Sequence, residues 1–394
     1  MIAITNGKLI TLDGIKEGLD LIIKDKHIHD ILEKNERLFI YKNVEVINAN
    51  GGYISPGFID IHADYIENIA APRPSSLMDF RLALREAERE LLTHGVTTMY
   101  HSLSLYKVGK SIDKPIRKKE NVSKFIDLIK DTNNRKHLIR HKFHARYEID
   151  NLDNIDELKT YINEGKVDML SFMDHTPGQG QFNDVGKYKE ISRQYGNQMT
   201  DEEFDDFIKE RNSKPKLTAS ECGEIVKIAK KKNIAVASHD DDSYEKLKTV
   251  VGFGTTISEF PITLEVAKKA KEMGMHTIAG APNVLLGGSH SGNLAAYEAI
   301  QEGAVDIICS DYYPAAILHS IFKLHKDYGH DLNEMFKLVT INPAKAVNID
   351  NDLGSLDVGK KADIIIIEEI DENFPVITSC FVDGRYVFQT NYRS

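Results

Sequence analysis

The 394-residue chain is short of cysteine, of net positive charge and of long apolar runs, and each shortage removes a class of protein. Its three cysteines, Cys222, Cys309 and Cys380, are odd in number and far apart, which fits neither a disulfide framework nor a cysteine-rich zinc cluster. Reduced thiols and a cytoplasmic location are expected. With 50 Lys+Arg against 60 Asp+Glu and a formal net charge of -10, the chain lacks the basic surface that displaces counterions from phosphates. That argues against nucleic acid as a partner. No apolar run approaches the roughly 18 residues of a membrane span. The start, Met-Ile-Ala-Ile-Thr-Asn-Gly, has no basic region ahead of an apolar one. Neither membrane insertion nor secretion is expected, and internal repeats and low-complexity segments are missing too.

What is present is an ordinary composition, 41% apolar, enough for one domain of about 250 residues with a smaller one beside it. Residues 1–52 hold short β-rich segments, Ala3 to Thr11 and Leu19 to Ile23, broken by Asn6-Gly7 and Asp13-Gly14 turn signals. The other end matches: Ala362 to Glu368, Val376 to Val382, an Asp383-Gly384 hairpin turn and Arg385 to Gln389. The ends, 1–52 and 347–394, are expected to build one composite β-sandwich domain. Between them, over 53–346, strands alternate with helices, the pattern of a parallel sheet covered by helices. Eight strands centre on Phe58 to His62, Thr97 to Leu103, Phe143 to Ile149, Met169 to His175, Ala235 to His239, Thr255 to Glu259, Thr277 to Gly280 and Ile307 to Ser310. The fold class is therefore α/β, a (β/α)8 TIM-like barrel. The helix after the first strand is expected to start at an N-cap Ser76 and to stop at Gly95. Residues 183–233 read as a polar helical insertion, a lid or an oligomer contact, and a homo-oligomer is compatible with the whole.

The most informative stretch is Tyr53-Ile-Ser-Pro-Gly-Phe-Ile-Asp-Ile-His62-Ala-Asp64, an apolar strand ending on two metal-type side chains. On a strand, His62 and Asp64 share one face and Ile61 and Ala63 take the other. In such barrels the chemistry sits at the C-terminal strand ends. Strand three carries His144, Arg146 and Glu148 at a spacing of two; strand four ends in Met173-Asp174-His175, strand five in Ser238-His239-Asp240, strand six in Ser258-Glu259 and strand eight in Ser310-Asp311. Each has a plain alternative: His175 or His239 as a hydrogen-bonded core histidine, Glu148 paired with Arg146, Asp311 as the cap of a helix near Pro314. Six strands ending this way at one rim point instead to a metal centre holding one or two divalent ions, Zn, Mn or Fe.

Two further segments suit a phosphorylated small-molecule substrate. The loop Gly287 to Asn293, with Ser289, His290, Ser291 and Asn293, precedes a helix expected from Leu294, so amides, hydroxyls and the helix dipole could receive phosphate. Arg73, in Pro72-Arg73-Pro74, and Arg146 offer guanidinium forks. Glu259 is counted with the substrate contacts, a metal ligand being the alternative. His101 and Gln179-Gly-Gln181 are further candidate contacts.

Pro56-Gly-Phe-Ile-Asp-Ile-His62, Ser310-Asp311, Asn342-Pro-Ala-Lys-Ala346 and Gly354-Ser-Leu-Asp-Val-Gly359-Lys-Lys-Ala-Asp363 resemble the amidohydrolase superfamily across nearly the whole chain. Within it, His62-Ala-Asp64, Ser171 to Gln179, Ser238-His-Asp-Asp241, Ser258-Glu-Phe-Pro261 and Gly280 to Asn293 resemble the PhnM family, alpha-D-ribose 1-methylphosphonate 5-triphosphate diphosphatases that release pyrophosphate in phosphonate use. The resemblance implies metal ligands at His62, Asp64, His175, His239 and Asp311, with Glu148 as a bridge and Asp311 as the catalytic proton acceptor. Asp64 stands where most of the superfamily has a second histidine, His175 where others carry a carbamylated lysine, and Glu259 where a histidine is usual. Tyr65 and Gly180 replace an expected asparagine and basic residue. The rival readings are an enzyme of the same fold cleaving a carbon–nitrogen bond, such as a deacylase or deaminase, and a non-catalytic pathway subunit.

Overall fold

Short β-segments from both chain ends pair with one another around a central run of alternating strands and helices. The structure is a computed structural model, and it describes residues 1–33, 41, 43–73, 75–105, 115–180, 186, 189, 193, 199–288 and 293–392. The first part holds β1 (Ile2–Thr5), β2 (Lys8–Thr11), β3 (Gly14–Lys16), β4 (Leu19–Lys24), β5 (His27–Glu33), β6 (Glu45–Asn48) and β7 (Tyr53–Pro56). The barrel strands follow: β8 (Phe58–Ala63), β9 (Val96–Leu105), β10 (Arg140–Glu148), β11 (Met169–Met173), β12 (Ala235–His239), β13 (Ile257–Glu259), β14 (His276–Gly280) and β15 (Ile307–Cys309). The chain returns through β16 (Ile364–Ile370), β17 (Phe374–Val382) and β18 (Arg385–Gln389).

The end strands form a four-stranded sheet, β5-β4-β1-β6, and a six-stranded sheet, β18-β17-β16-β7-β2-β3, that mixes both ends of the chain. Ile4, Leu21, Ile23 and Ile28 from the first interleave with Leu9, Ile54, Ile364, Ile366 and Phe381 from the second, so the inner faces share one core. The turn between β17 and β18 is the one the sequence announces: Asp383 and Gly384 sit at φ 48° and 68°, as a tight hairpin with two left-handed residues requires.

The central sheet runs β8 to β15 in sequence order, all neighbours parallel, at the eight expected places. Its two edges meet where Asp64 N donates to Asp311 O at 2.9 Å and Asp311 N donates to His62 O at 3.1 Å. A buried carboxylate reinforces this seam, since Asp60 accepts from Ser310 N at 3.2 Å and from Ser310 Oγ at 2.5 Å. The lumen is packed by Ile59, Ile61, Tyr100, Met169, Ala237, Ile257, Ile278 and Ile307, and residues of opposite parity, Phe143, Leu170, Val236 and Ile308, join the helices outside. Each fully buried isoleucine contributes about 2 kcal/mol.

Two local expectations need correction. A short helix, Tyr65–Ala70, follows β8, and the expected helix spans Phe80–Thr93 with Asp79, not Ser76, at the N-cap, accepting from Leu82 N at 2.8 Å. Asp79 is the last cap-forming side chain before the buried stripe Ala83, Leu84, Ala87 and Leu91, whereas Leu77 is exposed. Alternation along β8 also fails, because the register slips between Asp60 and Ala63 and places Ile61 and His62 together opposite Tyr100. Ile61 keeps the lumen parity of Ile59, and the slip turns His62 to the same side. Within 183–233, helix Asp201–Ser213 buries Phe204 alone, while Ala219–Lys231 buries Cys222, Ile225, Val226 and Ala229 in the barrel's outer core.

Candidate metal centre

Strand parity assembles the site. Because Ala237, Ile257 and Cys309 face the lumen, the residues two further on, His239, Glu259 and Asp311, face it at the C-terminal rim. On β10 the outward residues are Phe143, Ala145 and Tyr147, which leaves His144, Arg146 and Glu148 pointing inward. Three of the strands end on non-glycine residues in the left-handed region, Asp240 (φ 52°), Phe260 (φ 54°) and Asp311 (φ 58°). Such backbone costs about 1–3 kcal/mol at each place and concentrates where side chains must be aimed for a purpose.

Imidazoles and carboxylates meet there in pairs. His62 Nδ1 lies 2.9 Å from Glu259 Oε1, His175 Nδ1 lies 2.6 Å from Glu148 Oε1, and His239 Nδ1 lies 3.0 Å from Asp240 Oδ2. The His62 and His239 ring centres are 5.4 Å apart, and those of His175 and His239 6.0 Å. Among the described residues, two sets of three bring donor atoms within 4.8 Å of one another, His62 with His144 and Glu259, and His175 with His239 and Asp240. His144 and Asp240 are the members that sequence reasoning left unassigned. The parity of β10 carried the signal for the first, and for the second the signal was adjacency to His239.

Burial sets the protonation states. His62 is held well below the usual imidazole range, first by loss of water and then by the charges of Arg146 and His239. His144 falls to about 3, again chiefly through burial. Both rings are neutral, the form that ligates metal. Asp311 goes the other way, to about 7, because burial and then the negative charge of Asp64 outweigh the pull of Arg146. Asp240 stays below its ordinary range; burial would raise it, but the neighbouring His239 and His175 prevail.

A cavity of about 520 Å³ opens over this rim, lined by His62, Asp64, Arg146, His239, Asp311 and Asn293 among others. Among the described residues the Nε2 of buried His239 and the Nε of Arg146 lack a hydrogen-bonding partner, and His239 Nδ1 has only the Asp240 carboxylate, 3.0 Å away. Unpaired buried donors and acceptors are costly in a folded protein, so these atoms await a ligand. Nitrogen and carboxylate donors of this kind fit Zn, Mn or Fe. Asp311 does not cap the following helix, Ala316–Tyr328, which has no side-chain cap. Asp64 faces the cavity and has Arg117 Nη2 at 3.9 Å from its Oδ2.

Other expected contacts lie elsewhere. Glu259 is fully buried beneath the cavity, bonded to His62 and Ser171. Arg73 is exposed and is not among the residues lining the cavity. His101 has outward parity and is stacked on His141 between barrel and helices, its Nε2 2.9 Å from His141 Nδ1, so it does not reach the site. Gln179 is exposed, and Asp174 is bonded to Lys216 at 2.8 Å. Ser289, His290, Ser291 and Gln181 lie outside the described residues; Gly288 and Asn293, which flank the first three, line the cavity. The helix beyond starts at Ala296 rather than Leu294. Among the described residues no helix is long and apolar enough to cross a membrane.

Comparison with known proteins gives three findings. Residues 187–387 match the amidohydrolase family. Alpha-D-ribose 1-methylphosphonate 5-triphosphate diphosphatase of Escherichia coli (strain K12) is 31% identical over 395 residues, covering 98% of this chain and all of that protein, and dihydroorotase of Clostridium botulinum (strain Eklund 17B / Type B) is 24% identical over 413 residues, covering 97% and 92%. Among solved structures, N-acetylglucosamine-6-phosphate deacetylase from Pasteurella multocida superposes with a TM-score of 0.65 at 13% identity, covering 98% of this chain and 99% of that one.

Proposed function

This chain belongs to the amidohydrolase family, and within it to the PhnM-like members, and from that premise we propose that it hydrolyses alpha-D-ribose 1-methylphosphonate 5-triphosphate to the 5-phosphate and pyrophosphate. The observation that carries the reading is the cavity itself, in which an arginine Nε with no partner among the described residues and the Asp311 carboxylate face the imidazoles of His62 and His239. The end-to-end relation to a protein of that named activity supports it.

In this reading His62, Asp64, His175, His239 and Asp311 hold one or two divalent ions. A bound ion supplies an attacking water of lowered pKa and a counter-charge for the phosphate oxygens. Asp311 accepts the proton from the attacking water, which a carboxylate poised at about 7 does readily near neutrality. Pyrophosphate needs little protonation to depart, so charge stabilisation dominates over acid help. Arg146, Asn293 and the 289–292 segment with Ser289, His290 and Ser291 take the triphosphate oxygens. The lumen below is closed by Ile61, Tyr100 and Ile257, which keeps bulk water from the buried side.

The test is product analysis. The substrate is incubated with purified chain and cation, and phosphorus NMR is run beside assays for ammonia and free amine on amide and aminopurine substrates. Pyrophosphate with a 5-phosphate is expected. Ammonia or amine release without pyrophosphate would replace the proposal by the carbon–nitrogen reading.

A further inference from the structure

Beneath the cavity a continuous hydrogen-bond chain joins five barrel strands, and its direction can be worked out from its ends. The Ala63 amide can only donate, and it donates to Ser102 Oγ at 3.1 Å. Ser102 Oγ in turn lies 2.9 Å from His144 Nδ1, and because a hydroxyl oxygen can accept twice, the direction of that contact follows from the Glu259 end. Ser171 Oγ, 2.5 Å from His144 Nε2, has its one proton on Glu259, so His144 Nε2 carries the N–H and Nδ1 of the neutral ring accepts from Ser102. Ser171 passes its own proton to Glu259 Oε2 at 2.7 Å, and a carboxylate can only accept. The remaining contact, His62 Nδ1 to Glu259 Oε1 at 2.9 Å, must be an N–H donated by the histidine. Every hydroxyl in the chain donates once, and all its side chains are buried.

We infer that Glu259 is a positioning residue, which locks His62 in the Nδ1–H tautomer so that Nε2 is the nitrogen offered to a cation in the cavity. His62 lines the cavity, whereas Glu259 and His144 do not. The set His62, His144 and Glu259 is thus a hydrogen-bond network, although its donor atoms are close enough to surround an ion. An ion placed among them would take lone pairs already engaged with Ser102, Ser171 and His62. Glu148 repeats the arrangement on the far side of the rim, 2.6 Å from His175 Nδ1, and has the same role for that ring. Carboxylates that receive the second N–H of a ligating histidine fix its orientation and strengthen it as a donor. This reading rests on the rim being a metal centre and not on which bond is cleaved.

The experiment uses the full-length chain and no substrate, so its outcome is separable from that of the product assay. Long-range proton–nitrogen correlation on metal-free chain labelled with ¹⁵N-histidine reports each tautomer, and His62→Asn assigns the His62 signal. Nδ1–H is expected for His62 and Nε2–H for His144. Cobalt(II) titration with absorption spectroscopy is then run on Glu259→Gln and Glu259→Leu. The glutamine carbonyl still accepts from His62, so Glu259→Gln should keep the tautomer, the cobalt per chain and the band positions. Glu259→Leu should lose the fixed tautomer and weaken cobalt about 10–100-fold without changing its stoichiometry. An Nε2–H His62 in the metal-free wild type would overturn the inference. So would the loss of one cobalt per chain in Glu259→Gln, a variant whose native circular dichroism can be checked and which decides the matter if Glu259→Leu does not fold.

Discussion

Replacing Arg146 by Met separates function from stability in a way that few other substitutions here can. The guanidinium Nε is buried and has no hydrogen-bonding partner among the described residues, on a strand whose inward face also carries His144 and Glu148. A preorganised cationic donor aimed at developing phosphate charge is worth about 3 kcal/mol, so kcat/KM should fall on the order of 10²- to 10³-fold. Stability should move the other way. A buried polar atom without a partner costs about 1–3 kcal/mol, and methionine fills similar space without it, so urea denaturation should show an unchanged or higher midpoint. The pH profile gives a third readout. Arg146 pulls the Asp311 carboxyl down from where burial and Asp64 would put it. A base works when ionised, so activity falls as pH drops through its pKa, and losing Arg146 moves that acid limb to higher pH. The reasoning fails if kcat/KM stays within threefold of wild type, or if the variant loses several kcal/mol of stability, as a structural arginine would.

Other substitutions probe separate parts of the account. Asp311→Asn should abolish turnover while leaving circular dichroism and most bound metal in place; near-normal kcat would refute Asp311 as proton acceptor. His101→Gln should leave kcat/KM within about twofold, since the ring lies outside the barrel, and should cost about 1 kcal/mol through the weakened bond to His141. Asp306 tests the electrostatics far from the chemistry. Burial would raise its carboxyl, but hydrogen bonds from His276, Lys271 and the Thr277 amide hold it at about 2, below the ordinary 3.8. A depressed carboxylate pKa stabilises above the unfolded value and is lost as pH falls toward the folded one. Asp306→Asn should therefore cost about 2 kcal/mol at pH 7, and the wild-type advantage should vanish between pH 4 and pH 2. A pH-independent difference would contradict the assignment.

The barrel was legible because its strands are apolar runs at regular spacing, and all eight appear where that spacing placed them. The rim was legible for a related reason: residues spaced by two on a strand share a face, so His144, Arg146 and Glu148 had to point together. Parity failed only where the backbone breaks it. The slip at Ile61 and His62 carries no signal of its own, because a bulge is set by strand pairing and not by the residues that form it. His101 was misplaced although the parity of Tyr100 and Ser102, both inward, already turns it outward. Pairings across the lumen were out of reach. Nothing near Glu259 in the chain reveals that its carboxylate meets His62, 197 residues away, and Arg73 reads as a phosphate clamp until its exposed position is seen.

The central claim, that an imidazole–carboxylate rim binds a cation and directs water at a phosphate chain, is tested most directly by phosphorus NMR on chelator-stripped chain before and after divalent cation is restored. With alpha-D-ribose 1-methylphosphonate 5-triphosphate present, the account predicts no reaction in the stripped protein and, on reconstitution, pyrophosphate and alpha-D-ribose 1-methylphosphonate 5-phosphate in equal amounts. Pyrophosphate release at full rate in the stripped protein, or stepwise loss of single phosphates on reconstitution, would contradict it.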